Sequence, residues 1–182
     1  MQTPLASLKG LGQSLVSASG TQAKTAGQPY LNVRLDDRTS ALIAMDGAQE
    51  ALVVDARQIT PMPNMPACVM GLLNRRSRVM WVVNLLQLLQ LQTAPTSTQR
   101  YELVVLRVEP TEETGADRAL MGAVVNGVRG VIRLNPEDIQ SPIGHFPASL
   151  TPYLQGCVLY EQELLLVLDA KAIARSPLLR GA

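Results

Sequence analysis

Residues 71–89 read GLLNRRSRVMWVVNLLQLL, and residues 156–174 read GCVLYEQELLLVLDAKAIA. Each opens on a glycine, runs through an apolar stretch and reaches Asn84 or Asp169 13 positions later, ahead of a segment rich in Leu and Ala. Asp169 ends its run as a catalytic carboxylate could. Asn84 occupies the same place and can do no acid chemistry, so both are read as N-caps whose side-chain oxygen accepts from the first turn of a following helix. The two segments differ mainly at their centre, where Arg75-Arg76-Ser77-Arg78 in the first faces Tyr160-Glu161-Gln162-Glu163 in the second. That centre, between Leu73 and Val79, reads as a hairpin turn.

Outward from this pair the repeat continues. MDGAQEALV at 45–53 lies over VNGVRGVIR at 125–133 without a gap, and YLNVRL and YELVVLRV open the two copies. The offset drifts from 80 to 85 positions, a difference of loop length. Alternating apolar residues predict strands at 30–35, 40–45, 49–54, 101–108, 120–125 and 128–134, with turns at Asp36-Asp37-Arg38, Asp46-Gly47 and, as a hairpin, Asn126-Gly127. Three prolines at 61, 63 and 66 exclude a regular helix or central strand there and make ITPMPNMPACVM a rigid exposed loop. LQTAPTSTQR at 91–100 is a polar connector between the halves, EPTEETGAD at 109–117 an acidic turn, and 135–152 a proline-punctuated loop.

Two copies of about five short strands predict an all-β fold with short helices, built as paired small β-barrels. A barrel of roughly 60–70 residues buries little core alone, so the two should pack closely and share strands. The expected organisation is a flexible arm at 1–29, one domain at 30–175 made of subdomains at about 30–95 and 96–175, and a tail at 176–182. Within the arm, Leu5, Leu8, Leu11 and Leu15 give only a weak helical recurrence.

The chain has 182 residues, 47% apolar and 17% charged, and a net charge of +1. That charge provides no field for nucleic acid or an anionic membrane, so electrostatic recognition must be local. The opening residues lack an apolar signal core, and no run approaches a membrane span. The expectation is a cytoplasmic protein whose two cysteines are reduced and buried.

Catalytic constellations are sparse. His145 is the single histidine, so a two-histidine metal site is impossible, and Cys68 and Cys157 have no CxxC spacing. A hydrolase pairing Cys68 or Cys157 with His145 remains open on spacing alone. The apolar surroundings ACVM and GCVL would raise a thiol pKa and argue against it. Trp81 is expected to fill a core. The arginines of the turn are the candidate recognition residues, alternation sending Arg76 and Arg78 to one face and Arg75 to the other, since guanidinium groups suit carboxylate partners.

The run PNMPACVMGLLNRRSRVMWVVNL at 63–85 resembles the signature of the CheW domain: a proline loop, Gly, two apolar residues, Asn, an apolar residue, Arg, Gly, a strand ending near Pro, then two apolar residues, Asp and Leu. Gly71, Asn74, Arg76 and Leu85 match; Ser77, Trp81 and Asn84 stand where Gly, Pro and Asp are usual. The Arg75-Arg76-Ser77 form with Trp81 is similar to the cyanobacterial branch associated with type IV pilus motility and phototaxis. The resemblance covers roughly 30–175 and implies two intertwined five-stranded SH3-like barrels with no catalytic, cofactor or metal site. It also implies an adaptor, recruited to membrane receptor arrays, coupling methyl-accepting chemoreceptors or photoreceptors to the regulatory domain of a CheA-type histidine kinase. The receptor tip would lie in a groove between subdomains. The family's Gln-Glu falls on Gln49-Glu50 and its arginine on Arg76, implying a Glu50–Arg76 salt bridge and partner contacts from Ala48, Gln49, Glu50, Asn74, Arg75, Arg76 and Arg78. A different β-barrel peptide-binding module is the alternative of the same fold. Ser77 would have to accept the positive φ for which the family uses Gly.

Overall fold

The computed structural model describes residues 27–91, 98–108, 119–141 and 146–179. Eleven strands follow in chain order among these residues: β1 (Gln28–Arg34), β2 (Ser40–Ala44), β3 (Ala48–Asp55), β4 (Ile59–Thr60), β5 (Val69–Arg75), β6 (Arg78–Asn84), β7 (Arg100–Val108), β8 (Ala119–Val125), β9 (Val128–Leu134), β10 (Leu154–Tyr160) and β11 (Glu163–Leu168). Two short helices, α1 (Leu85–Leu88) and α2 (Ala170–Ala174), follow β6 and β11. The strands expected from alternation are present with ends shifted by a residue or two. Most of the expected N-terminal arm, the acidic turn at 109–117, the middle of the 91–100 connector and His145 lie outside the described residues.

The strands form two sheets, in the orders β10-β11-β2-β1-β9 and β3-β7-β8-β6-β5-β4. The two orders correspond strand for strand under the repeat, β9 to β3, β1 to β7, β2 to β8, β11 to β6 and β10 to β5. The two-residue β4 corresponds to an isolated bridge between Gln140 and Cys157. Each sheet takes strands from both ends of the chain, and this is the intertwining expected of the fold. The halves meet through parallel pairs, β6 with β8 and β11 with β2. Neither sheet is closed by backbone pairing between its end strands.

Asn126-Gly127 is therefore not a hairpin. It carries the chain from β8 in one sheet to β9 in the other, as Asp46-Gly47 carries it from β2 to β3. Each crossover is held by an arginine from the opposite copy. Arg34 Nη2 donates to the Asn126 carbonyl at 2.9 Å, and Arg107 Nη1 donates to the Asp46 carbonyl at 2.7 Å.

Three apolar clusters follow from this arrangement. Val54, Ile59, Leu73, Met80, Val82, Leu103, Val105, Leu120 and Val124 fill the concave side of the six-stranded sheet. Tyr30, Leu42, Leu134, Val158, Leu165 and Val167 fill that of the five-stranded sheet. The largest cluster lies between them and takes Leu31 and Val33 from β1, Val83 from β6, Val104 and Leu106 from β7, and the leucines of α1. Burial across this junction is what lets two small sheets be stable together.

The matched glycines of the repeat sit at matched bulges. Register shifts at Val69/Gly71 and Leu154/Gly156, and a Cβ on Gly71 would lie 2.1 Å from the Thr60 carbonyl oxygen, one on Gly156 2.3 Å from that of Gln140. The matched caps also behave alike: Asn84 accepts from the Gln87 N–H at 3.2 Å, and Asp169 from Lys171 and Ala172 at 2.9 and 3.0 Å. Both Asn84 and Asp169 are therefore structural. Within ITPMPNMPACVM, Ile59 and Thr60 pair with Leu73 and Leu72, and Cys68 is buried, so only its centre is the exposed loop expected.

Candidate partner-binding surface

Glu50 is aimed by a bulge. Ala48 pairs with Leu106 and belongs to the central core, but the next paired residue is Glu50, opposite Val105, so Gln49 is an extra residue. Such an insertion moves the side chains beyond it to the other face of the sheet. Glu50 therefore shares the concave face with Leu52 and Val54, at its rim. Ala48, expected among the partner-facing residues, is buried on the near side of that bulge.

From the far arm of the same sheet, Arg75 lies on the face of Leu73 and reaches across the opening. Its Nη2 is 3.1 Å from Glu50 Oε2 and its Nε 3.3 Å from Oε1, a two-point pair with both side chains partly exposed. The hydrogen bond from Arg75 holds the Glu50 carboxyl below the usual range, with the charges of Arg75 and Arg76 acting in the same direction. The pair joins strands β3 and β5, which no backbone bond connects.

The salt bridge expected with Arg76 is thus made by Arg75. Arg76 and Ser77, at φ 49° and 62°, are the two central residues of a tight hairpin turn, the form in which both take positive φ. Arg76 is consequently off the strand face. The same turn makes Arg75 and Arg78 direct cross-strand partners on one face, not the opposite faces that uninterrupted alternation implied. Ser77 does adopt the left-handed conformation, as does Gln162 at φ 69° in the second copy's turn. Gln49, Asn74, Arg76 and Arg78 are exposed; Arg78 shares the face of Arg75, and Asn74, opposite Val79, points to the other side of the hairpin.

Trp81 does not fill a core. It projects from the outer face of β6 with 41% of its surface exposed, beside Val79 at 62%. Its counterpart Leu166 is 1% exposed within the central cluster.

The second copy carries a related ion pair of opposite polarity. Arg129, the bulged residue of β9, meets Glu163 at the start of β11 at 3.0 Å, and Glu163 also accepts from Ser40 Oγ at 2.5 Å. Each sheet thus has a charged strap from its outer strand to the far hairpin, with acid and base exchanged. Under the repeat Arg129 falls on Gln49, next to Glu50, and Glu163 falls on Arg78, the cross-strand partner of Arg75, so the second strap is offset from the first and alignment of the two copies alone does not reveal it.

A family model described as the CheW-like domain matches residues 29–178. The chain belongs to the CheW-like domain family. A chemotaxis protein CheW from Treponema pallidum (strain Nichols) is 28% identical over 120 residues, which cover 64% of this chain and 66% of that protein, just under two thirds of its length. The crystal structure of the scaffolding protein TtCheW from Thermoanaerobacter tengcongensis matches with a TM-score of 0.68 at 13% identity, over 86% of this chain and 98% of that one. At that identity the likeness carries the CheW fold alone, and it agrees with the paired SH3-like architecture.

The two thiols of this CheW-like chain sit in poor surroundings for nucleophilic work. Burial pushes both Cys68 and Cys157 above the usual thiol range, which disfavours the thiolate. Cys68 Sγ instead donates to the Leu178 carbonyl at 3.6 Å. Among the described residues no group of three or more His, Cys, Asp or Glu could hold a metal, and no helix is long and apolar enough to cross a membrane.

Proposed function

We propose that this chain is a non-catalytic adaptor that couples a methyl-accepting chemoreceptor or photoreceptor to the regulatory domain of a CheA-type histidine kinase. Its place is the cytoplasmic face of a receptor array, in signalling for phototaxis or type IV pilus motility. Membership of the CheW-like family supports the adaptor role, and the two relatives are named as a chemotaxis protein and a scaffolding protein. The observation that carries the site is the Glu50–Arg75 pair. It fixes one carboxylate and one guanidinium at the open rim of the six-stranded sheet, with Arg78 opposite Arg75 across the hairpin and exposed Arg76 in the turn between them. A preorganised charged rim gives a partner a defined register and costs little further ordering on binding. The Arg75-Arg76-Ser77 turn with Trp81 supports the pilus and phototaxis branch.

Capture of the kinase tests this reading. The purified chain, immobilised, should retain the regulatory domain of a CheA-type kinase from the same genome, and retention should fall with added salt. Failure to retain that domain at any salt, with the chain shown to be folded, would remove the kinase from the assignment and leave a β-barrel module of another pathway. Loss of the gene should impair phototaxis or pilus-driven movement; unchanged movement would remove the branch.

A further inference from the structure

We propose that Arg107 is a positioning residue for the rim: by clamping the Asp46-Gly47 crossover it traps Gln49 as the extra residue of β3 and so aims the Glu50 carboxylate at Arg75.

The clamp has two parts. The Arg107 backbone N–H donates to the Gly47 carbonyl at 2.9 Å, and its Nη1 donates to the Asp46 carbonyl at 2.7 Å. Gly47 is thereby seated opposite Arg107, as Ala48 is opposite Leu106. A Cβ added at Gly47 would stand 3.1 Å from the Ala170 Cβ, so the crossover is also backed by α2. Farther along β3, Val54 is buried in the concave cluster and Leu52 packs against it, opposite Tyr101 and Leu103. Between these two fixed ends β3 has one residue more than β7, since Ala48 to Leu52 spans the same ladder as Leu106 to Leu103. The surplus leaves as a bulge at Gln49. Were the crossover end free, a slip of one residue would pair Gln49 with Val105 and turn Glu50 to the outer face, because successive side chains point to opposite sides of a sheet. Any residue at 107 could supply the backbone half of the clamp. The half that holds Asp46 needs a long side chain with a donor at its end.

The device occurs twice. The Arg34 backbone N–H donates to the Gly127 carbonyl at 2.8 Å, and its Nη2 to the Asn126 carbonyl at 2.9 Å. The residue bulged from β9 is Arg129, as far beyond Asn126 as Gln49 is beyond Asp46. There the bulged residue is itself the charged one, meeting Glu163 at 3.0 Å. Clamp, bulge and ion pair thus come together in both sheets, although the two pairs carry their charges in opposite order. Nor does Arg107 act on Glu50 through its charge. The cations that act on that carboxyl are Arg75 and Arg76, so an effect of replacing Arg107 passes through the backbone of the crossover.

Carboxyl NMR of Glu50 in the full chain tests this. Arg107→Met keeps the reach of the side chain and removes its donors, and it should raise the Glu50 midpoint toward the value reached in Arg75→Gln. Arg107→Lys can still donate to the Asp46 carbonyl and should keep most of the wild-type depression. Arg34→Met, which releases the other crossover, should leave Glu50 unmoved. Arg34 and Arg107 are both exposed, so the melting temperature should stay close to that of the wild type. Should Arg107→Met fail to fold, Arg107→Gln, too short to reach Asp46, gives the same reading. A wild-type midpoint in the folded variant, or an equal rise in Arg34→Met, would overturn the proposal. The bearing of Arg107 on binding rests on the rim being the partner surface. Failure of the wild type to bind the kinase domain would remove that surface and leave the Glu50 titration to decide the positioning role.

Discussion

Glu50 and Arg75 lie 25 positions apart in sequence and on separate arms of one curled sheet, yet their side chains meet at 3.1 Å. Two local irregularities bring them together. The bulge at Gln49 turns Glu50 to the concave face, and the two-residue turn at Arg76-Ser77 leaves Arg75 as the last residue of β5.

The first prediction concerns the titration of Glu50. Its folded-state pKa is lowered, so the pair's contribution is complete above the unfolded glutamate value of about 4.3 and is lost only as pH falls through the lower folded value. Side-chain carboxyl NMR should find a midpoint below that of an ordinary glutamate. Arg75→Gln should return it most of the way, and Arg76→Gln should move it less. An equal or larger effect from Arg76 would mean that the pairing has been assigned to the wrong arginine.

At the turn itself, Ser77 holds φ 62° with a Cβ that disfavours it. A left-handed L residue costs about 1–2 kcal/mol, and part of the relief is offset by the entropy that glycine loses on folding. Ser77→Gly should therefore stabilise the chain by about 0.5 kcal/mol in chemical denaturation, and Ser77→Val should destabilise it. Gln162→Gly should behave the same way in the second copy. A loss of stability in both glycine variants would contradict the positive-φ geometry.

The buried thiols supply a third test. With Cys68 and Cys157 raised by burial, the reactive thiolate is scarce at neutral pH in the folded state. Iodoacetamide should label the native chain slowly at pH 7.5 and rapidly once it is unfolded. Fast native labelling of either cysteine that depended on His145 would revive the hydrolase.

A fourth concerns the two devices that recur in the repeat. Gly71 combines φ 143° with a Cβ position 2.1 Å from the Thr60 carbonyl oxygen, so Gly71→Ala must displace β4. It should cost about 3 kcal/mol. Asn84→Ala removes a buried cap and should cost about 1 kcal/mol. Thermal and urea unfolding measure both, and a neutral Gly71→Ala would contradict the close approach of β4.

Much of this architecture is legible because its signals are local. Gly71 and Gly156, the caps Asn84 and Asp169 and the alternation of the long strands each depend on a few neighbouring residues. What could not be read depends on where distant segments end up. Asn126-Gly127 has the composition of a hairpin, but a turn sequence does not say which sheet receives the strand after it, and here β9 pairs with β1. Alternation could not assign the faces of Arg75, Arg76 and Arg78, because it is reset across a two-residue turn. Trp81 looked like core material on its apolar strand, and its burial is decided by what lies over that strand. The family resemblance supplied the partner of Glu50 as Arg76; the geometry at the turn moves that role to Arg75.

The most direct measurement is a charge-reversal cycle on the rim, reading affinity for the CheA-type regulatory domain by calorimetry alongside the melting temperature. Glu50→Arg and Arg75→Glu should each weaken binding about tenfold or more without unfolding the chain. The double variant, which restores the pair in reverse, should recover a large part of the loss. Single variants that bind as tightly as the wild type, or a double variant no better than either single one while Glu50→Arg with Arg76→Glu does recover, would contradict the account.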